Sequence, residues 1–504
     1  MKKKLDIDWS MIYIPITAVV VISIIFMIYP ASSKEYLKNI RMFLSNNFES
    51  YYIVIALAFV ICTLYLAFSK YGKIKLGKES TTPEYSNIKW GMMIFTSTMS
   101  ADIIFYSLCE WIMYSQESYM HHIPGGLQKW GLTYSLFHWG PMAWGFYIIL
   151  SVCFGYMLHV SNRERQRFSE ACRPLLGRYT DGIAGKIIDL FAIFALIAGT
   201  ATTFSMSMPL LSAAVNKVTG IPNNKILSVM ILLLVAFIYT IVAFIGMKGL
   251  AKLANISVVL FLTLLIYVFI FSGEQRFIIE NGISSIGNLV NNFVRISTDT
   301  DPLRKYTFIQ NWTVYYWSYW MVWCVATPFF IGKISKGRTI KNVILGGYAW
   351  GLAGTYLSFI IMSGYGLNRQ FTGKNNFIKM LENGNDYASI IISIFKTIPL
   401  SNIGLLLLVL AMIGLYSTVF DSITMVFSAY SYKNLALDQE PDKKIRVFWA
   451  IVFIILPIAL ILTGNSVYNL QSVSIIAAFP IGMIMIVIVG SFLKEIKNKS
   501  INNL

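Results

Sequence analysis

The hydrophobic residues of this chain fall into about a dozen long apolar runs, and that pattern constrains the fold more than anything else. The runs lie near residues 11–30, 51–70, 90–113, 131–160, 186–216, 224–245, 249–272, 312–333, 341–364, 400–431, 446–464 and 469–493. A helix of about 20 apolar residues crosses the ~30 Å hydrocarbon layer of a bilayer. In lipid, backbone N–H and C=O groups have no water to turn to, so only helices or closed barrels can span. The runs are continuous rather than alternating, which selects helices. The chain is therefore expected to be an all-α polytopic membrane protein with about twelve transmembrane helices. Its hydrophobic fraction of 56% and charged fraction of 13% place it outside the soluble class.

The runs group into an N-terminal tail (1–10), two peripheral helices (11–85), a first five-helix block (86–272), a connecting loop or helix (273–311), a second five-helix block (312–493) and a C-terminal tail (494–504). Each block opens with a span that carries polar or helix-breaking residues near its middle. Paired interruptions of that kind point to inverted repeats with a binding site at the bilayer midplane.

The net charge is +17. In a soluble chain that would suggest nucleic acid, but here the basic residues sit in short loops. Lys70, Lys73, Lys75 and Lys78 follow the second run, and Arg163, Arg165, Arg167, Arg173 and Arg178 the fourth. Lys333, Lys336, Arg338 and Lys341 follow the eighth, and Lys443, Lys444 and Arg446 the tenth. Alternate loops lie on one face of the membrane, and basic loops stay inside. Both termini are thus expected in the cytoplasm of a bacterial-type inner membrane, with anionic lipid rather than nucleic acid as the partner of this charge. The run from Met11 to Tyr29 is of full spanning length and lacks a small-residue cleavage site, so it reads as a retained helix.

Five cysteines (Cys62, Cys109, Cys153, Cys172, Cys324) form no CxxC pair, and the four histidines form no HExxH. No metal site and no cofactor are expected. An enzyme would need a nucleophile–base or metal set, and none stands at usable spacing.

Three segments carry chemistry. In Gln310–Trp323, Trp312, Tyr316, Tyr319, Trp320 and Trp323 share one helical face, while Trp317 points away. The bland reading is aromatic packing with an interfacial belt. The functional reading is a cage for a methylated ammonium. Such a cation has no N–H to donate, and each ring face attracts it by about 0.5–2 kcal/mol. Pro328, one turn beyond, interrupts the helix ladder. In the third run, Phe95-Thr96-Ser97-Thr98-Met99-Ser100-Ala101-Asp102 combines small and hydroxylated residues with an acid near the centre of a span. An intramembrane carboxylate is costly unless it is paired or protonated, so Asp102 is a candidate counter-charge or proton carrier. The alternative is a structural Asp bonded to a hydroxyl. Glu110, nearer the interface, is more easily structural. The third segment is Tyr134–Trp144. Its His138 reads as a packing histidine, and Trp139, Trp144 and Tyr147 add aromatic surface. Asp421, a further acid inside a span, suits a cap or network role at least as well as ion binding.

These residues resemble the betaine/carnitine/choline transporter family from about residue 50 to 495. The resemblance rests on Tyr134-Ser135-Leu136-Phe137-His138-Trp139-Gly140-Pro141, on Trp312-Thr313-x-x-Tyr316-Trp317-x-x-Trp320-x-x-Trp323, and on Ile334-Ser335-Lys336-Gly337-Arg338-Thr339. It implies a LeuT-type fold of two inverted five-helix repeats preceded by two extra helices, a homotrimer and alternating access. It implies a central cage of Trp139, Tyr319, Trp320 and Trp323, with Trp312 nearer the entrance and Trp144 adding to the substrate site. Tyr319 replaces a tryptophan of most members. Thr418 keeps one hydroxyl of the pair that holds sodium in betaine symporters, but Val419 replaces the other. Ser257 stands where carnitine/butyrobetaine antiporters carry Arg, and Thr327 where they carry Met. Asp102 resembles the acid of proton-coupled choline members. The expectation is secondary transport of a quaternary-ammonium compound, choline first and possible with protons. Alternatives are a sodium-independent exchanger of carnitine, γ-butyrobetaine or betaine, and a membrane sensor without transport.

Overall fold

The computed structural model describes residues 6–502 apart from 98–99, 164, 246, 436–438 and 464–466; the side chains of 243, 247–248, 250–251, 421–422, 463, 467–470 and 500–502 also lie outside the description. Among the described residues there are helices, two isolated β-bridges and no strands.

Three helices lead: α1 (Ser10–Ile28), α2 (Pro30–Asn47) and α3 (Glu49–Phe68). The helix α2 is amphipathic and too polar to cross. Its charged and polar residues hid it from a search for apolar runs. The first block opens with α4 (Asn87–Ser97) and α5 (Ala101–Tyr114), which meet at a 64° bend. The polar run ahead of Asp102 does break the span, as the sequence suggested. Ser100 at the break is extended, with φ −122° and ψ 168°.

Next come α6 (Gly126–His138) and α7 (Pro141–His159). They are joined through Gly140, where a Cβ would stand 2.2 Å from the Leu136 carbonyl oxygen. Only glycine fits that close approach, and Pro141 then starts α7 with a φ already helical. The block ends with α8 (Ile183–Thr219), α9 (Lys225–Ile245) and α10 (Met247–Phe271).

The connecting segment forms the amphipathic helix α11 (Gln275–Ser297). The aromatic segment starts as a π-helical turn, Ile309–Thr313, and continues as α12 (Val314–Trp323). It breaks at residues 324–326 and resumes as α13 (Thr327–Ile334), with Pro328 in its first turn. The chain closes with α14 (Ile340–Phe371), α15 (Tyr387–Lys396), α16 (Ser401–Tyr430), α17 (Lys443–Thr463) and α18 (Val467–Asn502). Among the described residues ten helices are long and apolar enough to span, or eleven with the bent α4–α5 pair counted as one.

The two broken helices run antiparallel against each other. Asp102 meets Tyr319, Tyr106 meets Tyr315, Glu110 meets Tyr316, and Glu117 meets Trp312. As numbers rise along α5 they fall along α12.

The basic loops converge on one end. Leu76 N–H donates to the Arg338 carbonyl (2.8 Å), and Arg163 pairs with Glu495 (2.8 Å). Arg167, 2% exposed, is the hub. Its guanidinium donates to Asp8 (3.1 Å), to Asp189 (3.3 Å), and to the carbonyls of Tyr430 (3.0 Å) and Tyr432 (2.7 Å). A buried cation needs such multiple partners to offset its desolvation, and here the four bonds of Nη1 and Nη2 supply them. Burial alone would raise the Asp8 carboxyl, but Ser10 and Arg167 outweigh it and hold the group below its ordinary value.

Candidate functional site

The antiparallel crossing of α5 and α12 places three acids of one helix side opposite aromatic donors of the other. Asp102 lies in the first turn of α5 rather than in mid-helix, because the span is broken just before it. The free N–H groups and dipole of a half-helix start favour a carboxylate there. Asp102 is 3% exposed. Its Oδ2 accepts the Tyr319 hydroxyl, which lies 2.6 Å from Thr203 Oγ1. Its Oδ1 has no hydrogen-bond partner. Among the described residues no Lys or Arg pairs with it.

Glu110 differs. It is completely buried. It accepts hydrogen bonds from the hydroxyls of Tyr114 and Tyr316 and from Trp139 Nε1 (3.0 Å). Further along, Glu117 accepts Trp312 Nε1 at 2.8 Å.

The rings form two adjoining groups. Trp320 is the centre of one: its centroid lies 5.7 Å from Trp139, 5.7 Å from Trp144 and 4.7 Å from Tyr147. These are edge and tilted contacts of rings touching one another. Trp144 is fixed from behind by Gly351, where a Cβ would sit 2.6 Å from the indole. The second group joins Tyr319 to Trp323 (6.5 Å) and to Tyr315 (5.6 Å), on the side of Asp102. Tyr106 and Tyr316 link the groups, each 5.7–5.8 Å from Trp139.

The sequence-derived set is therefore distributed as follows. Trp139, Trp144 and Trp320 come together, and Tyr319, Trp323 and Asp102 stand beside them. Trp312 lies a layer away, packed on Tyr114 (4.9 Å) and stacked on Tyr316 (6.3 Å). Thr327 starts α13 next to the Tyr147 hydroxyl. Ser257 and Thr418 are partners across the α10–α16 interface, 3.0 Å apart. Each also lies 2.8 Å from a carbonyl of its own helix, Leu253 or Gly414, so one hydroxyl gives its hydrogen across the pair and the other gives its hydrogen to its helix. Gly414 lets them meet, since a Cβ there would be 2.7 Å from Ser257 Oγ. His138 is buried with both ring nitrogens engaged, Nδ1 with the Tyr114 hydroxyl and Nε2 with the Thr313 hydroxyl. Trp317 turns away to Phe137 (5.3 Å). The side chain of Asp421 and residues Thr98 and Met99 lie outside the described residues.

From the sequence, Tyr316 falls on the aromatic face, Tyr147 adds aromatic surface and Glu110 reads as more easily structural, while Tyr106 is not singled out. Tyr106 and Glu110 reach the site through the crossing of two broken helices, which no local spacing reveals. No group of three or more His, Cys, Asp or Glu side chains able to hold a metal ion occurs among the described residues.

Comparisons with known proteins give the same family as the motifs. A probable glycine betaine transporter of Desulfitobacterium hafniense is 30% identical over 480 residues, covering 93% of each chain. The glycine betaine transporter OpuD of Bacillus subtilis is 28% identical, covering 94% of this chain and 91% of its own. A carnitine transporter of Acinetobacter baumannii is 27% identical, covering 91% of this chain and 84% of its own. The family model described as BCCT, betaine/carnitine/choline family transporter, matches residues 10–501. With the crossing broken helices, the ring cluster and that match over nearly its whole length, the chain is a multi-pass membrane protein that belongs to the betaine/carnitine/choline transporter family.

Proposed function

We propose that the protein is a secondary active transporter of a quaternary-ammonium solute, with choline as the first candidate. The observation that carries this reading is Asp102, a buried carboxylate beside the rings with one oxygen unpartnered and no basic neighbour among the described residues. A permanent cation offers that oxygen the charge it lacks, and ring faces supply the rest of the attraction. A zwitterion would bring its own carboxylate toward Asp102, which costs unless the acid is protonated. The touching rings around Trp320 must part to admit a trimethylammonium group, so binding and a conformational step belong together. Asp102 is the proposed counter-charge or proton group. Thr327, Thr418 and Ser257 are secondary candidates for coupling; the mutual bond of the last two supports a packing role in the α10–α16 interface.

The second reading is an exchanger of carnitine, butyrobetaine or betaine without an ion. It is favoured by the names of the relatives, which are carnitine and glycine betaine transporters. Proteoliposome uptake of labelled choline, competed by choline, betaine, carnitine and butyrobetaine with and without sodium and with and without a pH gradient, separates the two. Choline preferred, with a response to pH but not sodium, supports the first. Counterflow of carnitine without any ion gradient supports the second.

A cytoplasmic placement of both termini follows from the convergence of the basic loops at one end. The exposed stripe Ile279, Ile283, Val290 and Val294 on α11 suits contact between copies, in keeping with a homotrimer.

A further inference from the structure

We propose that Glu110, Tyr114 and His138 form a proton-carrying chain behind the ring cluster, ending at Thr313, and that one proton leaves it when a cation binds against Trp139. This rests on the quaternary-ammonium reading above, which assigns no proton to these residues.

The geometry is a continuous line of hydrogen bonds. The Tyr114 hydroxyl donates to Glu110 Oε1 and lies 2.7 Å from His138 Nδ1. His138 Nε2 lies 3.0 Å from Thr313 Oγ1. A tyrosine hydroxyl has a single hydrogen, and a neutral imidazole has one N–H and one bare nitrogen. The line therefore has two self-consistent directions. With Glu110 ionised, Tyr114 donates to the carboxylate, Nδ1–H donates to Tyr114, and Thr313 donates to Nε2. With Glu110 protonated, the carboxyl donates to Tyr114, Tyr114 donates to Nδ1, and Nε2–H donates to Thr313. Every atom of the line has a partner in both directions.

The two states differ by one proton. A proton arriving at Nε2 sends the Nδ1 hydrogen to the Tyr114 oxygen, whose own hydrogen passes to Glu110 Oε1. The entry end, Thr313, is two residues from the partly exposed Asn311. A histidine serving packing alone needs no bridge to a buried acid. The tyrosine here bridges the two, and no Lys or Arg pairs with Glu110 among the described residues to fix its charge permanently.

The groups facing the line are few. Along α5 they are Asp102, Tyr106 and Cys109, and beyond its end Glu117, which accepts from the Trp312 packed on Tyr114. From α6 comes Tyr134, whose ring centroid lies 5.7 Å from that of His138. From the aromatic segment come Tyr315 and Tyr316; the latter stacks on His138 at 4.8 Å and donates to Glu110. Phe359 of α14 packs on Trp139 and carries no charge.

Glu110 also touches the cage, because its Oε2 accepts Trp139 Nε1. A cation on the Trp139 face stabilises the ionised acid and expels the proton. Protonation in turn weakens the cation, by linkage. Affinity for a pure cation therefore falls as pH falls. For a zwitterion the dependence is shallower, since its own carboxylate offsets the effect.

The test uses the purified full-length protein in detergent. Labelled choline binding is measured between about pH 5 and 8.5, and proton release on adding saturating choline is read with a pH dye in weak buffer. In the native protein the dissociation constant should rise by up to about tenfold per pH unit of acidification, with close to one proton released per choline. Tyr114→Phe cuts the line and should flatten the slope and abolish release, while binding at the alkaline end stays within about threefold. His138→Asn cuts the next link and serves if the first variant does not fold. Asp102→Asn should still release the proton. If the slope and release survive in Tyr114→Phe and His138→Asn but vanish in Asp102→Asn, the inference is overturned while the cage reading stands. A native protein that binds choline without pH dependence also overturns it. Failure to bind any quaternary ammonium at any pH overturns the cage reading itself.

Discussion

Asp102 and Glu110 stand two turns apart on one side of α5, both buried and both facing the aromatic segment, yet their surroundings are opposite. Glu110 collects three donors from α5, α6 and α12. Asp102 collects one, at the start of a half-helix, and keeps an oxygen without a partner. The difference separates an acid that organises the protein from one that is prepared to meet something else. A carboxylate surrounded by donors meets a ligand through them, as Glu110 does through Trp139, whereas one with an unpartnered oxygen can meet the ligand itself.

Four measurements would break or sharpen that contrast. The largest effect is expected for Asp102→Ala, which removes a buried acid beside the rings whose Oδ1 has no hydrogen-bond partner. Losing one partner of a buried charge pair costs about 2–5 kcal/mol, so choline uptake in proteoliposomes should fall at least about thirtyfold. Native uptake in that variant would refute the contrast. The converse holds for stability. Glu110→Ala strands two hydroxyls and an indole N–H, at about 1–3 kcal/mol for each buried group left unsatisfied. Its unfolding midpoint in detergent should drop clearly, while Asp102→Ala should leave the midpoint unchanged or raised, because an uncompensated buried charge is gone.

Third, Trp320→Leu should weaken choline binding by about 0.5–2 kcal/mol, or up to about thirtyfold, by equilibrium dialysis. Trp312→Leu, a layer away, should change it by less than about threefold. Equal effects would erase the distinction between the inner and outer rings. The smallest effect is expected at the distant hydroxyl pair. Ser257→Ala or Thr418→Val removes one neutral hydrogen bond, worth about 1 kcal/mol. Transport should stay within a few-fold and its response to sodium should not change.

The membrane fold was legible because a bilayer enforces one length on every crossing, and the apolar runs carry that length openly. The breaks were legible in part: the hydroxyl-rich run before Asp102 and Pro328 both mark places where a helix stops. The helix α2 was not legible, since an amphipathic surface helix has no apolar run. Within the site, Trp139, Trp144 and Trp320 could be read from motif and face. The meaning of Asp102 could be read only as an acid in a span, because its place at a helix start depends on where the backbone breaks. Glu110 reads as nearer the interface and more easily structural, from its place in the run. Its burial comes from the crossing of α5 and α12, a tertiary event that sequence spacing does not encode.

Arg167 ties the residues before α1 to the last turn of α16 and to α8 through one guanidinium. A transporter that exposes its cargo to that side has to separate those parts, so Asp8 and its neighbours belong to the moving machinery rather than to a passive tail. Cargo release and re-entry would then share a single bolt, and a bulky fusion placed ahead of Asp8 should slow turnover without altering the affinity of the loaded site.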